Sequence, residues 1–217
     1  MPSRYPSPFL YPILDLDYCN AKNRDPVAVV DYWMQHKDLI PFIQIRGKNR
    51  QESEINVWLD AIVEKYPFLT IIINDFWELA IKSDTGFHIG KEDFLNLSQK
   101  EKDMVRKSRV IKGTSCHSLE DVKNLESIWH YSGFGPIFKT YSKASENQPT
   151  GLGLLQQALQ ISRIPLVAIG GITPLQYADL MENTPVTIAG ISSMIEETEF
   201  AQLVKILRTS HNENEAE

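Results

Sequence analysis

Eight short apolar segments, each followed by a helix-like stretch, restrict the fold of this chain more than any other feature. The candidate strands are Leu10–Leu16, Ile40–Ile45, Leu69–Ile73, Gly86–Ile89, Arg109–Lys112, Ile128–Phe134, Leu166–Ile169 and Val186–Ala189. The candidate helices are Pro26–Asp38, Gln51–Lys65, Phe76–Ile81, Ser98–Lys107, Ser118–Glu126, Gly151–Ile161, Pro174–Met181 and Glu196–Arg208. Because strands that alternate with helices pair in parallel, eight such units favour a closed barrel over an open sheet. The sequence therefore predicts an α/β fold, a single-domain (β/α)8 TIM barrel over residues 1–217, with its core at about 10–209 and a polar, frayed tail at 210–217.

Composition and charge narrow the class of protein. With 217 residues the chain is long enough for one sizeable core, and its net charge of −6 argues against a general nucleic-acid binder. The two cysteines, Cys19 and Cys116, form no disulfide framework or cysteine-rich metal pattern. We expect neither a signal peptide nor a membrane span, so a cytoplasmic enzyme acting on small molecules is the default expectation. The oligomeric state stays open, and a homo-oligomer is compatible with the sequence.

A cationic pattern follows the second candidate strand. Alternation along an extended segment points Gln44, Arg46 and Lys48 to one side. An amide and two cations suit a ligand rich in anionic oxygens, and a guanidinium can donate two hydrogen bonds to one phosphate. A solvated strand end with a salt bridge is the competing interpretation, and this pattern alone does not separate the two.

Two carboxylates follow the next two candidate strands. Asp75 stands directly after Asn74 at the end of the third strand, and Asp93 follows the fourth. In a barrel these positions lie at the same end, where active sites are found. Mg²⁺ commonly binds one or two carboxylates together with water and substrate phosphates. We therefore predict a Mg²⁺ site at Asp75 and Asp93, with helix N-capping as the competing explanation for Asp75.

The segment after the fifth candidate strand carries Ser115, Cys116 and His117. Ser115 can donate a hydrogen bond to a phosphate oxygen. Because adjacent strand residues face opposite sides, we do not predict a thiol nucleophile paired with His117, and Cys116 is expected to be a small buried apolar residue. His117 is a candidate acid or base, or a histidine held by local hydrogen bonds. His88, inside the fourth strand, is expected to be structural.

Glycines, hydroxylated residues and one lysine follow the last three candidate strands. They are Thr140, Ser142 and Lys143, then Gly170 and Gly171, then Gly190-Ile-Ser-Ser193. Glycine lets backbone N–H groups approach an anion closely, and in TIM barrels the loops after strands 7 and 8 frequently bind phosphate. The sequence thus predicts two anion-binding areas, which a diphosphate with Mg²⁺ and a monophosphate would fill.

An ordered set of motifs resembles the thiamine phosphate synthase family. The motifs are Gln44-x-Arg-x-Lys48, Asn74-Asp75, His88-Ile-Gly-Lys-Glu-Asp93, Ser115-x-His117-Ser118, Gly135-Pro-Ile-Phe-x-Thr-x-Ser-Lys143, Ala168-Ile-Gly-Gly-Ile-Thr-Pro174 and Gly190-Ile-Ser192. The resemblance runs from Leu10 to Phe200. It implies a TIM-barrel transferase of thiamine biosynthesis that joins hydroxymethylpyrimidine, taken from its diphosphate, to thiazole phosphate. The products would be thiamine phosphate and pyrophosphate.

The resemblance also implies roles for individual residues. The pyrimidine diphosphate would be held by Gln44, Arg46, Lys48, Asn74, Ser115 and Lys143, among which Arg46, Lys48, Ser115 and Lys143 would be catalytic. The cofactor Mg²⁺ would be bound by Asp75 and Asp93. The thiazole phosphate would be held by Thr140, Ser142, Gly171, Ile191 and Ser192.

One departure from the family and two rival functions bear on this prediction. Lys91 stands where the family usually has Gln, and a cation there could compete with a metal for Asp93. One rival is a thiazole phosphate tautomerase-like relative that uses His117, and the other is a non-catalytic barrel that binds a phosphate ester. Tautomerase relatives typically lack the metal carboxylates and the Asn-Asp pair, so Asn74, Asp75 and Asp93 favour the synthase.

Overall fold

A closed barrel of eight parallel strands forms the centre of the molecule. The computed structural model describes residues 8–140 and 148–215, with side chains as far as residue 212. The strands are β1 (Leu10–Asp15), β2 (Phe42–Arg46), β3 (Thr70–Asn74), β4 (Gly86–Ile89), β5 (Lys112–Cys116), β6 (Tyr131–Phe134), β7 (Leu166–Ile169) and β8 (Ile188–Gly190). Each strand pairs in parallel with the next, and β1 pairs with β8 to close the barrel. The predicted fold class is confirmed.

Helices follow the strands and cover the outside of the barrel. They are α1 (Leu16–Ala21), α2 (Pro26–Met34), α3 (Glu52–Lys65), α4 (Trp77–Lys82), α5 (Lys91–Asn96), α6 (Gln99–Lys107), α7 (Leu119–Lys123), α8 (Gly151–Ile161), α9 (Pro174–Asn183), α10 (Ser192–Ile195) and α11 (Glu197–Glu215). Local sequence sets several starts: Ser118 accepts a hydrogen bond from the Asp121 N–H at α7, and Thr173 forms a capping box with Gln176 at α9. Within residues 8–140 and 148–215, no helix has the length and apolar content needed to cross a bilayer.

Alternation along the strands divides the barrel into an inner and an outer face. On β1, Tyr11 and Ile13 line a central cavity, whereas Leu10 and Leu14 are fully buried on the other face. On β2, Gln44 and Arg46 line the same cavity. Since successive side chains on a strand point to opposite faces, the polar residues at the carboxyl ends of the strands are directed inwards.

Three differences from the predicted elements bear on the site or the tail. The fifth strand is Lys112–Cys116, not Arg109–Lys112, so Ser115 lies within it. No helix was predicted between the fourth strand and Ser98, but α5 lies there and places Asp93 in its first turn. The tail is not frayed from residue 210, because α11 continues to Glu215 and His211 makes a hydrogen bond of 2.9 Å to the Pro8 carbonyl. That the domain takes in all 217 residues stays a prediction.

Candidate active site

The carboxyl ends of the strands and the loops after them surround a cavity of about 980 Å³. Nine of the residues predicted from the sequence line it together: Gln44, Arg46, Asn74, Asp93, Ser115, Thr140, Gly171, Ile191 and Ser192. Two more, Lys48 and Asp75, are exposed and lie outside its lining. The remaining two, Ser142 and Lys143, lie outside the described residues. A (β/α)8 barrel carries its active site at this end, so the cavity is the candidate site.

A buried ion pair fixes the cationic side of the cavity. Arg46 is 8% exposed and Asp15 is 2% exposed, and the Arg46 guanidinium pairs through Nη1 with the Asp15 carboxylate. Asp15 also accepts a hydrogen bond of 2.8 Å from the Tyr18 backbone N–H at the start of α1. A guanidinium has five N–H donors, so the contact with Asp15 leaves donors for a second anion. Asp15 was missed in the sequence, although Tyr11, Ile13 and Asp15 alternate on β1.

Lys48 does not share the inner face with Gln44 and Arg46. Strand β2 ends at Arg46, and Lys48 lies in the turn that follows, where its side chain is exposed. Side chains alternate between the two faces only while the backbone is extended, and this alternation ends with β2 at Arg46. The prediction that placed Lys48 on the same face as Gln44 and Arg46 is therefore wrong.

Asp75 is held in an unusual backbone conformation at the end of β3. Its φ of 67° lies in the left-handed region, which Asp tolerates better than most residues. Its N–H donates to the His88 carbonyl at 2.9 Å, and its carbonyl accepts from the Trp77 N–H at 2.9 Å. These two bonds hold the chain as it turns from β3 towards α4, and the carboxylate stays exposed.

Asp93 approaches the cavity from the first turn of α5. A Cβ atom added to Gly90 would lie 2.7 Å from the Oδ2 atom of Asp93, so the carboxylate folds back towards the end of β4. Among residues 8–140 and 148–215, no group of three or more His, Cys, Asp and Glu side chains is arranged to hold a metal. Two exposed carboxylates after neighbouring strands fit an ion that keeps water and substrate oxygens as its other ligands, as Mg²⁺ does.

Histidine and tyrosine side chains that the sequence did not flag as functional also line the cavity. His88 accompanies Tyr11 and Tyr131 in the lining. The His88 Nε2 atom lies 3.0 Å from the Ser115 hydroxyl, and its Nδ1 atom lies 3.3 Å from the Tyr131 hydroxyl. Burial raises the pKa of the Tyr11 and Tyr131 hydroxyls, which stay protonated. The only sequence signal was that each residue stands on an inward-facing strand position.

The contacts around His117 show which carboxylate pairs with Lys91. The His117 Nδ1 atom lies 2.5 Å from the Gly135 carbonyl, so this nitrogen carries the donated proton. The Asp121 carboxylate accepts from the His117 backbone N–H at 2.8 Å and from Lys91 Nζ at 2.5 Å. Lys91 thus has a carboxylate partner other than Asp93 and lies outside the cavity lining.

Cys116 is 1% exposed, and burial raises the pKa of its thiol to about 11, which is unsuited to a nucleophile.

The opposite side of the cavity is lined by backbone. Gly170 and Gly171 follow β7 with φ values of 99° and 66°, both in the left-handed region. A Cβ atom at Gly171 would lie 2.4 Å from the Lys139 carbonyl oxygen, so the loops after β6 and β7 pack too closely for any side chain there. Ile191 and Ser192 follow β8 at the start of α10 and line the same side. This arrangement matches the phosphate position of many TIM barrels.

The model of the thiamine monophosphate synthase family matches residues 10–194, which contain all eight strands and the whole cavity lining except Glu199. The chain belongs to this family. The sequence resemblance is therefore confirmed.

Individual members of the synthase family match over most of the chain. A thiamine-phosphate synthase of Halalkalibacterium halodurans is 34% identical over 161 residues, which cover 72% of this chain and 74% of that protein. A thiamine-phosphate synthase of Caldicellulosiruptor saccharolyticus is 25% identical over 195 residues, covering 89% and 82%. The solved structure of a thiamine phosphate pyrophosphorylase from Pyrococcus furiosus superposes with a TM-score of 0.73 at 24% identity, covering 93% of this chain and 96% of the other. That superposition supports the fold.

Proposed function

We propose that this synthase-family chain transfers the hydroxymethylpyrimidine group from its diphosphate to thiazole phosphate, which yields thiamine phosphate and pyrophosphate. The observation that supports this most is that one cavity has two sides of different chemistry. One side has a buried guanidinium and nearby carboxylates, and the other has glycine backbone and hydroxyls. Two phosphorylated substrates of different charge would be held with their reacting carbon and nitrogen facing each other.

In the proposed reaction, the C–O bond between the pyrimidine methylene and the diphosphate breaks, and its electron pair leaves with pyrophosphate. The amino group of the pyrimidine stabilises the resulting carbocation. The thiazole nitrogen lone pair then forms the new C–N bond, so no protein nucleophile is required. Arg46 donates to the departing diphosphate from a fixed position, since Asp15 holds it, and Ser115 donates from β5.

The other side chains take parts consistent with their positions. Gln44 and Asn74 bind the pyrimidine diphosphate, while Thr140, Gly171, Ile191 and Ser192 hold the thiazole phosphate. Lys48 and Lys143 supply further positive charge to the diphosphate, and Ser142 contacts the thiazole substrate; these three assignments rest on the family pattern. We also propose that the protein works in the cytoplasm, where its two free, buried cysteines would stay reduced.

Mg²⁺ is the proposed cofactor, held by Asp75 and Asp93. When bound, it would neutralise charge on the diphosphate. Lys91 would not compete with Mg²⁺ for Asp93, because its ammonium group pairs with the Asp121 carboxylate.

The test is a product assay with purified protein, Mg²⁺, hydroxymethylpyrimidine diphosphate and thiazole phosphate. Thiamine phosphate is oxidised and detected by thiochrome fluorescence. We expect product that disappears when a chelator is added and returns with excess Mg²⁺. A folded protein that leaves both substrates unchanged would contradict the proposal. Metal-independent isomerisation of a carboxylated thiazole phosphate would instead indicate a tautomerase, with His117 as its base.

A further inference from the structure

Five side chains form one continuous line of hydrogen bonds across the barrel, which we call the relay. It runs from Gln44 on β2 through Tyr11 on β1, Tyr131 on β6 and His88 on β4 to Ser115 on β5. The successive donor–acceptor distances are 2.8, 2.7, 3.3 and 3.0 Å. All five residues line the cavity, so the relay joins two predicted substrate-binding residues, Gln44 and Ser115, through three to which the resemblance assigned no role.

The relay has a definite direction. The Gln44 Nε2 amide donates to the Tyr11 hydroxyl, which leaves the Tyr11 proton for its other neighbour, Tyr131, although the 2.7 Å contact by itself allows either hydroxyl to donate. Tyr131 then gives its proton to the Nδ1 atom of His88, because a buried hydroxyl proton needs an acceptor. In this direction His88 has its ring proton on Nε2 and donates that proton to Ser115.

The direction decides what Ser115 can offer to a ligand. When Ser115 accepts from His88, its own hydroxyl proton is available to the cavity. With the opposite direction, Ser115 would donate to His88 and would present only lone pairs. A diphosphate is an acceptor at every oxygen, so only the first direction lets Ser115 bind it.

Packing holds the relay in place. Tyr11 and Tyr131 are 2% and 1% exposed, and the Tyr11 ring packs edge-to-face on Phe42 with a centroid distance of 4.4 Å. A Cβ atom at Gly113 would lie 2.2 Å from Cζ of Tyr131, so this tyrosine occupies the space that a larger residue would need.

We propose that Tyr11, Tyr131 and His88 are positioning residues that orient the Ser115 hydroxyl proton towards a diphosphate oxygen of the substrate. The proposal rests on the proposed function for the identity of that ligand. It assigns these three residues no contact with the reacting atoms; they act through Ser115.

The tautomer of His88 is the first test. Long-range ¹H–¹⁵N correlation spectra of ¹⁵N-labelled protein near neutral pH identify the protonated nitrogen of each histidine, and the His88→Gln variant assigns the His88 signals. We expect a proton on Nε2 alone in the wild type and a mixture of tautomers in Tyr131→Phe. A wild-type proton on Nδ1, or on both nitrogens, would overturn the proposal.

Binding of inorganic pyrophosphate with Mg²⁺, measured by calorimetry, is the second test. We expect Ser115→Ala and Tyr131→Phe each to weaken binding by roughly tenfold, the cost of one hydrogen bond to a charged group. The double variant should bind no more weakly than Ser115→Ala alone, because both changes remove the same interaction. Additive losses would contradict the relay.

Tyr177→Phe is the matched control, since Tyr177 is fully buried and its hydroxyl has no hydrogen-bond partner within the described part of the chain. We expect it to bind pyrophosphate as the wild type does, and a loss in Tyr131→Phe no larger than that of Tyr177→Phe would also overturn the relay. Neither test needs turnover. A protein that passes both tests but makes no thiamine phosphate would refute the proposed function alone, whereas a wild type that binds no pyrophosphate would overturn the ligand assignment.

Discussion

Arg46 and Lys48 stand two residues apart, yet burial gives the two cations different properties. Arg46 lies in the cavity wall with a carboxylate partner, whereas Lys48 is exposed in a turn. A buried cation must be paired, and Asp15 supplies that pair while fixing where the guanidinium points. An exposed lysine contributes a charge that solvent screens. At the scale of residues, Asp15 is therefore as much a part of the site as Arg46.

Replacing Asp15 with Asn should destabilise the protein strongly. The change leaves the Arg46 guanidinium buried without its counter-ion, which typically costs about 3 kcal/mol or more. Urea denaturation of the wild type and the variant measures the loss in the free energy of unfolding. Asp17→Asn is the control, because Asp17 pairs with Arg50 at 3.0 Å with both side chains more than a quarter exposed, and its loss should cost under about 1 kcal/mol. Equal losses in the two variants would argue against a structural role for the buried pair.

At the scale of elements, the loops after β4, β5, β6 and β7 are tied to one another. The Lys91–Asp121 pair joins the first turn of α5 to α7, and Asp121 also holds the backbone N–H of His117. On the other side, Gly171 lets the loop after β7 pack against the backbone of Lys139. These ties hold neighbouring loops together on each side of the cavity.

The contribution of Asp121 to stability should depend on pH. Burial acts to raise the pKa of its carboxyl, but hydrogen bonds from Lys91, the His117 N–H and Ser118 outweigh burial, and the folded-state pKa is lower than usual. The stabilisation is therefore complete above the unfolded-state pKa of about 3.9 and is lost as the pH falls through the lower folded-state pKa. We expect Asp121→Asn to cost about 1–3 kcal/mol near neutral pH, with a smaller difference in acid.

Chemical denaturation at a series of pH values measures this difference. Asp103→Asn is the control, since Asp103 pairs with Arg106 at 3.6 Å on an exposed surface and should contribute under about 1 kcal/mol at any pH. A difference between wild type and Asp121→Asn that stays constant down to strongly acid pH would refute this assignment.

Replacing Gly171 with Ala should destabilise the fold and disturb the side of the cavity that Gly171, Ile191 and Ser192 line. The residue would have to keep a φ of 66° and would place its Cβ atom 2.4 Å from the Lys139 carbonyl oxygen. We expect a loss of about 2 kcal/mol or more in the free energy of unfolding and weaker binding of thiazole phosphate.

Gly153 in α8 provides the contrast to Gly171. An added Cβ atom there meets nothing within 4 Å, so Gly153→Ala should stabilise the protein by about 0.5–1 kcal/mol. Thermal unfolding and calorimetric titration with thiazole phosphate compare the two variants. Comparable stability and affinity in both would show that the close approach of the β6 and β7 loops is unimportant.

At the scale of the whole molecule, the regular alternation of apolar segments and helices made the barrel predictable. The site was harder to predict, because closure of the barrel brings together residues that are far apart in the sequence. The eight apolar segments were sufficient to infer parallel strands, but β5 was misplaced because Gly113-Thr-Ser-Cys116 contains little apolar surface. Its neighbours Val110 and Ile111 are more apolar, yet they precede the strand and pack against the core. Helix α5 was missed because it is only six residues long.

A residue's place in the cavity lining was predictable from residue type near the end of a strand, as with Ser115 and Gly171. It was not predictable where the function rests on a contact between distant strands. Tyr11 and Tyr131 are 120 positions apart, and only closure of the barrel brings their hydroxyls to 2.7 Å. Asp15 was missed for the same reason, since its value comes from the register that sets it beside Arg46.

The most direct test of the transferase reaction follows phosphorus through one reaction mixture. ³¹P NMR of hydroxymethylpyrimidine diphosphate, thiazole phosphate, Mg²⁺ and the protein separates the diphosphate, pyrophosphate and phosphomonoester signals. We predict that pyrophosphate and thiamine phosphate appear at equal rates, and that omitting thiazole phosphate prevents accumulation of thiamine phosphate. Spectra that stay unchanged, or pyrophosphate released without any thiamine phosphate while thiazole phosphate is present, would contradict the account.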